Sequence, residues 1–166
     1  MKALRLLVDP SASQVSLEAG RLGPLMHRCR FTRFQGSVAL AGDRSVALAE
    51  LKISAGSLTS AFGRALDRVA ASVLLEADRH PWVTVRARDL RLGGRSSVVL
   101  AQLTLRGRTG EVPLRVTLDE RRRDGSVRFS VEGRVDRRDW GVAESVPGLR
   151  LGNQIGIRAA IYAVPA

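Results

Sequence analysis

The residues best able to do chemistry are few. His27 and Cys29 are two apart, so on a strand they share a face. A thiolate–imidazole pair or a metal could use that spacing, but a closed metal site needs more ligands, and His80 is the only other histidine. The plainer reading is two incidental neighbours on a strand. No Gly-x-Ser-x-Gly, P-loop or dinucleotide fingerprint is present, and nothing in the order of Ser, His and Asp brings a triad together. The sequence is therefore read as a non-enzyme, with neither cofactor nor metal.

Charge is the other resource. Lys and Arg number 27 against 16 acidic residues, for a formal net charge of +11, and only Lys2 and Lys52 are lysines. Such a balance suits phosphates, anionic membrane surfaces or nucleic acid. The arginines are spread along the chain, however, which fits a solvated basic surface equally well. Arg121–Arg123 reads as a solvated hairpin end.

The elements that must position these groups follow from hydrophobic period. In Val98–Leu118, Val99, Ala101, Leu103 and Leu105 alternate on one face, and Val112, Leu114, Val116 and Leu118 alternate after Gly107 and Gly110. A hairpin with Leu105 facing Val112 sets Leu103 against Leu114 and Val99 against Leu118. A one-residue slip would put apolar against polar. Asp124-Gly125 signals a second hairpin, in which Leu118 faces Val131 and Leu114 faces Val135. Gly93-Gly94 marks a third. There Val85 and Leu103 must share a face, which requires a loop with an odd number of residues, most simply Leu92–Gly94, and a bulge.

Earlier strands are read at Leu4–Val8, stopped by Asp9-Pro10, and at Gln14–Ala19. Met26–Leu40 changes parity between Phe31 and Phe34, which calls for a bulge or bend near Arg33–Gly36. Val46–Ile53, Val83–Arg88 and a closing strand through Ile155, Ile157 and Ile161 complete the set. From Ser60 to Ala77 the period becomes helical, with Phe62, Leu66, Val69 and Val73 on one face and Thr59 or Ser60 as cap. His80-Pro81 ends it nearby. The whole is one all-β domain over residues 1–166, an antiparallel eight-stranded barrel with one inserted α-helix. Such a barrel is just wide enough to be filled by side chains or to hold one small ligand. The start, MKALRLLVDP, lacks a signal peptide's apolar core, and no apolar run is long enough to span a membrane. The expected location is the cytoplasm, which a single cysteine fits.

Several motifs, in order, resemble those of the YceI family of lipocalin-like isoprenoid-binding proteins. Val8-Asp9-Pro10 resembles its Ile-Asp-Pro opening, Leu22-Gly23 its Leu-Gly, and Arg30–Gly36 its phenylalanine-rich stretch ending in Phe-x-Gly. Ile53–Thr59 is similar to its strand before the helix, and His80-Pro81 to its Tyr-Pro. Leu103–Gly107 with Val112 and Leu114 resembles its most recognisable hairpin. Arg137–Gly141 resembles its Arg-x-Asp-Phe-Gly corner, with Trp140 for Phe. Ala12 stands where the family usually has His, and Ala65–Ala71 lacks the family's helical His.

The resemblance implies a lipocalin-like barrel whose hydrophobic tunnel holds a long isoprenoid chain, such as a quinone or a polyprenyl phosphate, for sequestration or transport. Leu17, Phe31, Phe34, Phe62, Leu66, Val85, Leu103, Leu105, Phe129 and Trp140 are then the candidate lining. Without it the aromatics are simply core. Arg64 and Arg68 are the candidates for a head-group clamp in place of the missing histidines. The partner is the isoprenoid or another long apolar ligand; a homodimer and a transient membrane contact are carried as further associations. The alternative is a basic nucleic-acid-binding small β-barrel. It is disfavoured because single-strand binders present aromatic platforms, and Phe129 lies on an apolar face.

Overall fold

The computed structural model describes residues 4–22, 25–41, 45–91, 96–143, 145–146 and 149–166. The chain lays down β1 (Leu4–Val8), β2 (Gln14–Leu22), β3 (Leu25–Phe31), β4 (Phe34–Leu40), β5 (Ser45–Ser54) and β6 (Leu58–Ser60). The helical segment follows, then β7 (Trp82–Arg91), β8 (Ser96–Leu105), β9 (Arg108–Arg121), β10 (Val127–Asp136), β11 (Ser145–Val146) and β12 (Leu149–Pro165). Eight strands form a closed antiparallel ring in the order β1-β4-β5-β7-β8-β9-β10-β12, and β12 returns to pair with β1. β2 also lies on β12, with β3 beside it and β6 beyond. The all-β, antiparallel eight-stranded barrel with one inserted helix read from the sequence is therefore the observed fold.

Asp9-Pro10 does stop the first strand. The Asp9 carboxylate accepts hydrogen bonds from the Ser11 N–H at 3.0 Å and the Ser11 hydroxyl at 2.6 Å, fixing a 3-10 turn at Pro10–Ala12. The parity change between Phe31 and Phe34 is a break at Thr32–Arg33, just before the expected position. There the chain leaves β3 and starts β4, so both phenylalanines are buried. Gly36, in β4, is packed so closely that a Cβ would lie 2.6 Å from the Glu50 carbonyl oxygen and 3.0 Å from Val8 Cγ2.

Two hairpin registers differ from expectation, though their faces are right. In β8–β9, Leu105 opposes Arg108, Ala101 opposes Val112 and Val99 opposes Leu114. The loop is Arg106-Gly107 alone, with φ of 54° and 74°, the left-handed pair that a tight two-residue hairpin requires. An arginine in that conformation costs about 1–2 kcal/mol. Its guanidinium offsets the cost: it donates to Glu76 Oε1 at 2.7 Å, to the Trp140 carbonyl at 3.3 Å and to the Gly141 carbonyl. In β9–β10, Leu118 faces Phe129 and Val116 faces Val131, because the loop is longer than two residues. Asp124 accepts from the Ser126 N–H and hydroxyl, at 2.9 and 2.6 Å, and holds the turn open. The register shift beside Phe129 restores the faces. In β7–β8, Val85 does face Leu103; the Gly93-Gly94 turn lies outside the described residues.

The helix is shorter than the Ser60–Ala77 expected, and rotated. It is α1 (Arg64–Val69), continued by one π turn at Ala70–Leu74. Leu58–Ser60 is strand, and Gly63 rather than Thr59 or Ser60 is the cap. The buried face is Asp67, Ala70, Ala71, Leu74 and Leu75, while Val69 and Val73 are 37% and 47% exposed. The cause is Asp67, which accepts from the Ser60 N–H at 3.0 Å and the Ser60 hydroxyl at 2.5 Å. Those bonds make a buried carboxylate tolerable and turn small alanines toward the barrel.

After β10, Asp136 accepts from Arg138 N at 3.0 Å, Nε at 2.9 Å and Nη2 at 2.6 Å. It starts the 3-10 turn Arg137–Trp140, which ends on left-handed Gly141. The Arg138 bonds bring the Asp136 carboxyl down from its usual 3.8 to about 2.

Two outcomes follow. Gly36→Ala forces the methyl onto a backbone oxygen and should destabilise by about 1–3 kcal/mol in urea titration. A folded-state pKa held low gives stability that is complete above about 3.8 and lost as pH falls through about 2. Asp136→Asn should therefore show a shallower loss of stability across that window than wild type, with the difference vanishing at the acid end.

The barrel cavity as candidate functional site

Inward-facing residues leave the interior hollow rather than filled. One cavity, of about 140 Å³, occupies the end beneath Val46, Leu90, Val116, Phe129 and Ile161. A second, of about 100 Å³, lies under the helix, against Ala70, Leu74 and Leu75. Val15, Ile53, Val85, Leu103 and Ile157 line both. The two are therefore adjoining compartments of one apolar interior, meeting at a waist of five aliphatic side chains from five strands. Among the described lining residues only Ser37 and Glu50, both at the first cavity, carry polar groups besides Cys29.

Six of the twelve expected residues line this space. Leu17, Phe31 and Leu105 line the helix-end cavity, Phe129 the other, and Val85 and Leu103 both. The other six line neither cavity. Phe34 is buried, opposite Ile53 at the β4–β5 ladder. Trp140 is buried in the corner over Gly110, where a Cβ would lie 3.1 Å from its Cζ2. Leu66 packs on the edge of the core, and Phe62 is half-buried. Arg64 and Arg68 are exposed on the outer side of the helix, so no clamp forms at the cavity. Aromatic size drew the sequence reading to Phe34, Phe62 and Trp140; strand parity was the better signal. Val15, Ile53 and Ile157 stand on the same inward parity as their strand neighbours, and on that ground could have been named.

Cys29 faces the helix-end cavity, opposite Leu17 on β2. Burial pushes its thiol up to about 12, with the nearby Asp67 charge adding to the effect. At neutral pH the sulfur is therefore protonated and a poor nucleophile. His27 pairs by backbone with Gly20 in the β2–β3 ladder.

Three segments are fastened together next to Leu75, Leu105 and Val142, which line the helix-end cavity. Arg106, at the β8–β9 tip, binds Glu76 after the helix and the carbonyls of Trp140 and Gly141 in the corner. The guanidinium holds the Glu76 carboxyl below its usual range. The His80 ring lies over Gly107, with its Cε1 2.7 Å from where a Cβ would stand, so Gly107 is needed for contact as well as for its left-handed backbone.

A larger depression, of about 410 Å³, lies on the outer wall. Arg115, Arg134 and Arg158 line it together with Glu18 and Glu132. Its charges are of both signs, and Phe31, Phe34, Phe129 and Trp140 are buried away from it.

Known proteins agree with this architecture. BcnA of Burkholderia cenocepacia is similar in structure, with a TM-score of 0.79 at 19% identity, covering 95% of this chain and 99% of that one. A polyisoprenoid binding domain from Saccharophagus degradans, implicated in plant cell wall breakdown, gives 0.77 at 15% identity, covering 98% and 99%. The YCEI protein of Campylobacter jejuni gives 0.71 at 16% identity, covering 83% and 84%. No curated protein gives a significant sequence match. The family described as YceI-like domain matches residues 7–163, nearly the whole barrel, and the chain belongs to that family.

Proposed function

We propose that the barrel binds the hydrocarbon chain of an isoprenoid lipid, sequestering or carrying it without covalent chemistry. The observation that carries this reading is the apolar lining that continues from one cavity to the other through Val15, Ile53, Val85, Leu103 and Ile157. A flexible apolar chain buried there gains roughly 0.8 kcal/mol per methylene and needs no polar partner along its length. Family membership supports the reading, as does the likeness to a domain described as polyisoprenoid binding. The protonated Cys29 thiol supports binding over catalysis.

The head group is proposed to be neutral, of the quinone type. Among the described lining residues no cation is present, and the one charged residue, Glu50, holds its carboxylate on exposed Arg86 at 3.0 Å. A diphosphate drawn into such a space would be desolvated without compensation. The nucleic-acid reading lacks support by the same geometry. The aromatics on the inner face cannot stack on bases, and the outer arginine depression is interrupted by Glu18 and Glu132.

The test is native mass spectrometry of purified protein with organic extraction. A co-purifying neutral isoprenoid is the expected result; tight oligonucleotide binding at physiological salt with no extractable lipid would overturn the reading. Leu103→Trp fills the waist and should lower lipid occupancy at least about tenfold, at a cost of about 1–3 kcal/mol in stability. Replacing Arg64 and Arg68 together by Gln should leave occupancy by a neutral isoprenoid unchanged; a loss confined to polyprenyl phosphate would restore the charged head group.

A further inference from the structure

The ring is weakest between two of its strands. β7 and β8 have ten residues each, yet they share three pairs, Thr84–Thr104, Val85–Leu103 and Arg86–Gln102. From Ala87 to Leu90 on β7 and from Val98 to Ala101 on β8, no pair joins them among the described residues. Both stretches stay paired on their other sides, β7 to β5 and β8 to β9.

Parity is the cause. Asp89, at a φ of 54°, breaks the alternation of β7, so that Ala87 and Leu90, three residues apart, both line the larger cavity. β5 shifts in step: Ala49 stands opposite Ala87 and Val46 opposite Leu90, and these two line it as well. β8 does not shift. Its Val99 and Ala101 line the cavity, while Val98 and Leu100 are exposed. Had the β7–β8 ladder run on past Arg86–Gln102, Leu90 would stand opposite Val98, an inward group against an outward one that is 66% exposed. The mismatch that a one-residue slip produces therefore parts the strands and leaves a seam in the wall.

A strand sends its N–H and C=O groups alternately to its two neighbours. Along the parted stretches, the groups addressed to the seam have no partner strand. Backbone polar groups are not left dry, so water or the polar end of a ligand must meet them. The larger cavity lies directly behind, lined from both sides of the seam by Ala87, Leu90, Val99 and Ala101. Ala87 and Ala101 come first past the ladder, and each places only a methyl group at the mouth. At the two ends of the barrel, by contrast, Ala70, Leu74 and Leu75 are buried over the smaller cavity, and Val46 and Phe129 are buried at the larger one. The seam thus joins uncharged hydrogen-bonding groups to an apolar space, the pairing that a neutral polar head on a hydrocarbon chain requires.

We propose that the lipid enters the barrel sideways through the β7–β8 seam. Its head group stays there, bonded to the backbone of Ala87–Leu90 and Val98–Ala101, and its chain runs inward. This rests on the isoprenoid-binding reading. The experiment loads the full chain with a benzoquinone carrying two isoprenyl units. Native mass spectrometry measures occupancy, hydrogen exchange the seam, and quenching of tryptophan fluorescence the rate of uptake. The amides of both stretches should exchange fast in the free protein and become protected on loading. Ala87→Leu and Ala159→Leu take the same volume from the larger cavity, one at the seam and one on β12 across the ring. Both should lower occupancy alike, but only Ala87→Leu should slow uptake, by at least about tenfold, since the strands must then spread to admit the probe. Absence of any occupancy in the unaltered protein would overturn the binding reading, and this proposal with it. Occupancy without protection at the seam would overturn this proposal alone, as would equal uptake rates for the two variants. If Ala87→Leu fails to fold, by circular dichroism, protection in the unaltered protein decides.

Discussion

The fold depends on parity. Around the ring, each ladder sets an inward residue against an inward residue: Leu6 against Val38, Val38 against Ala49, Ala49 against Ala87, Val85 against Leu103, Ala101 against Val112, Leu118 against Phe129, Phe129 against Ile161 and Val8 against Ala163. A slip of one residue at any ladder would turn half a strand's apolar groups to water, and in a closed ring the error could not be absorbed at an edge. Slips of two or four residues preserve parity. Those are the slips by which loop geometry, rather than hydrophobic pattern, decides the outcome.

That distinction explains what could be read from the residues alone. The strands, their inward faces and their closure into a barrel follow from alternation, and alternation is written in Val99–Leu105, Val112–Leu118 and Val127–Val135. The pairing within the β8–β9 hairpin was not legible, because it rests on an arginine at positive φ. Local propensity argues against that conformation, and only contacts from Glu76, Trp140 and Gly141, distant in sequence, sustain it. The helix face was misread for a related reason. Hydrophobic size pointed to Val69 and Val73, whereas a carboxylate with two partners on Ser60 set the rotation. Strand parity led to the expected residues that lie at the cavities, Leu17, Val85, Leu103 and Leu105 among others. Of the six that line neither cavity, Phe34, Phe62 and Trp140 came from treating every aromatic as lining, and Arg64, Leu66 and Arg68 from the helix, whose face is rotated. Phe34 and Trp140 serve the wall and the corner instead.

The same reading separates the parts of the barrel by job. Residues buried on the ring away from both cavities, such as Leu6 and Ala163, hold it together, whereas those at the waist make contact around an empty centre. A barrel built for stability alone would fill that centre, since each lost contact forfeits dispersion energy. Retaining an apolar void between well-packed strands is the structural mark of a site adapted to an apolar guest.

The pairing of β1 with β12 has a consequence for how the molecule comes into being. Leu6 meets Pro165, so the ring is completed by residues from opposite ends of the sequence. During synthesis from the N-terminus, β1 can pair with β4 early, but its other edge stays open until β12 has emerged. Contacts this remote in sequence slow folding, and an open strand edge in the waiting chain is prone to pair with a neighbour. The charges dispersed along the chain, at +11 overall, are already at work while the ring is still open: mutual repulsion between nascent copies guards the unfinished barrel during that interval.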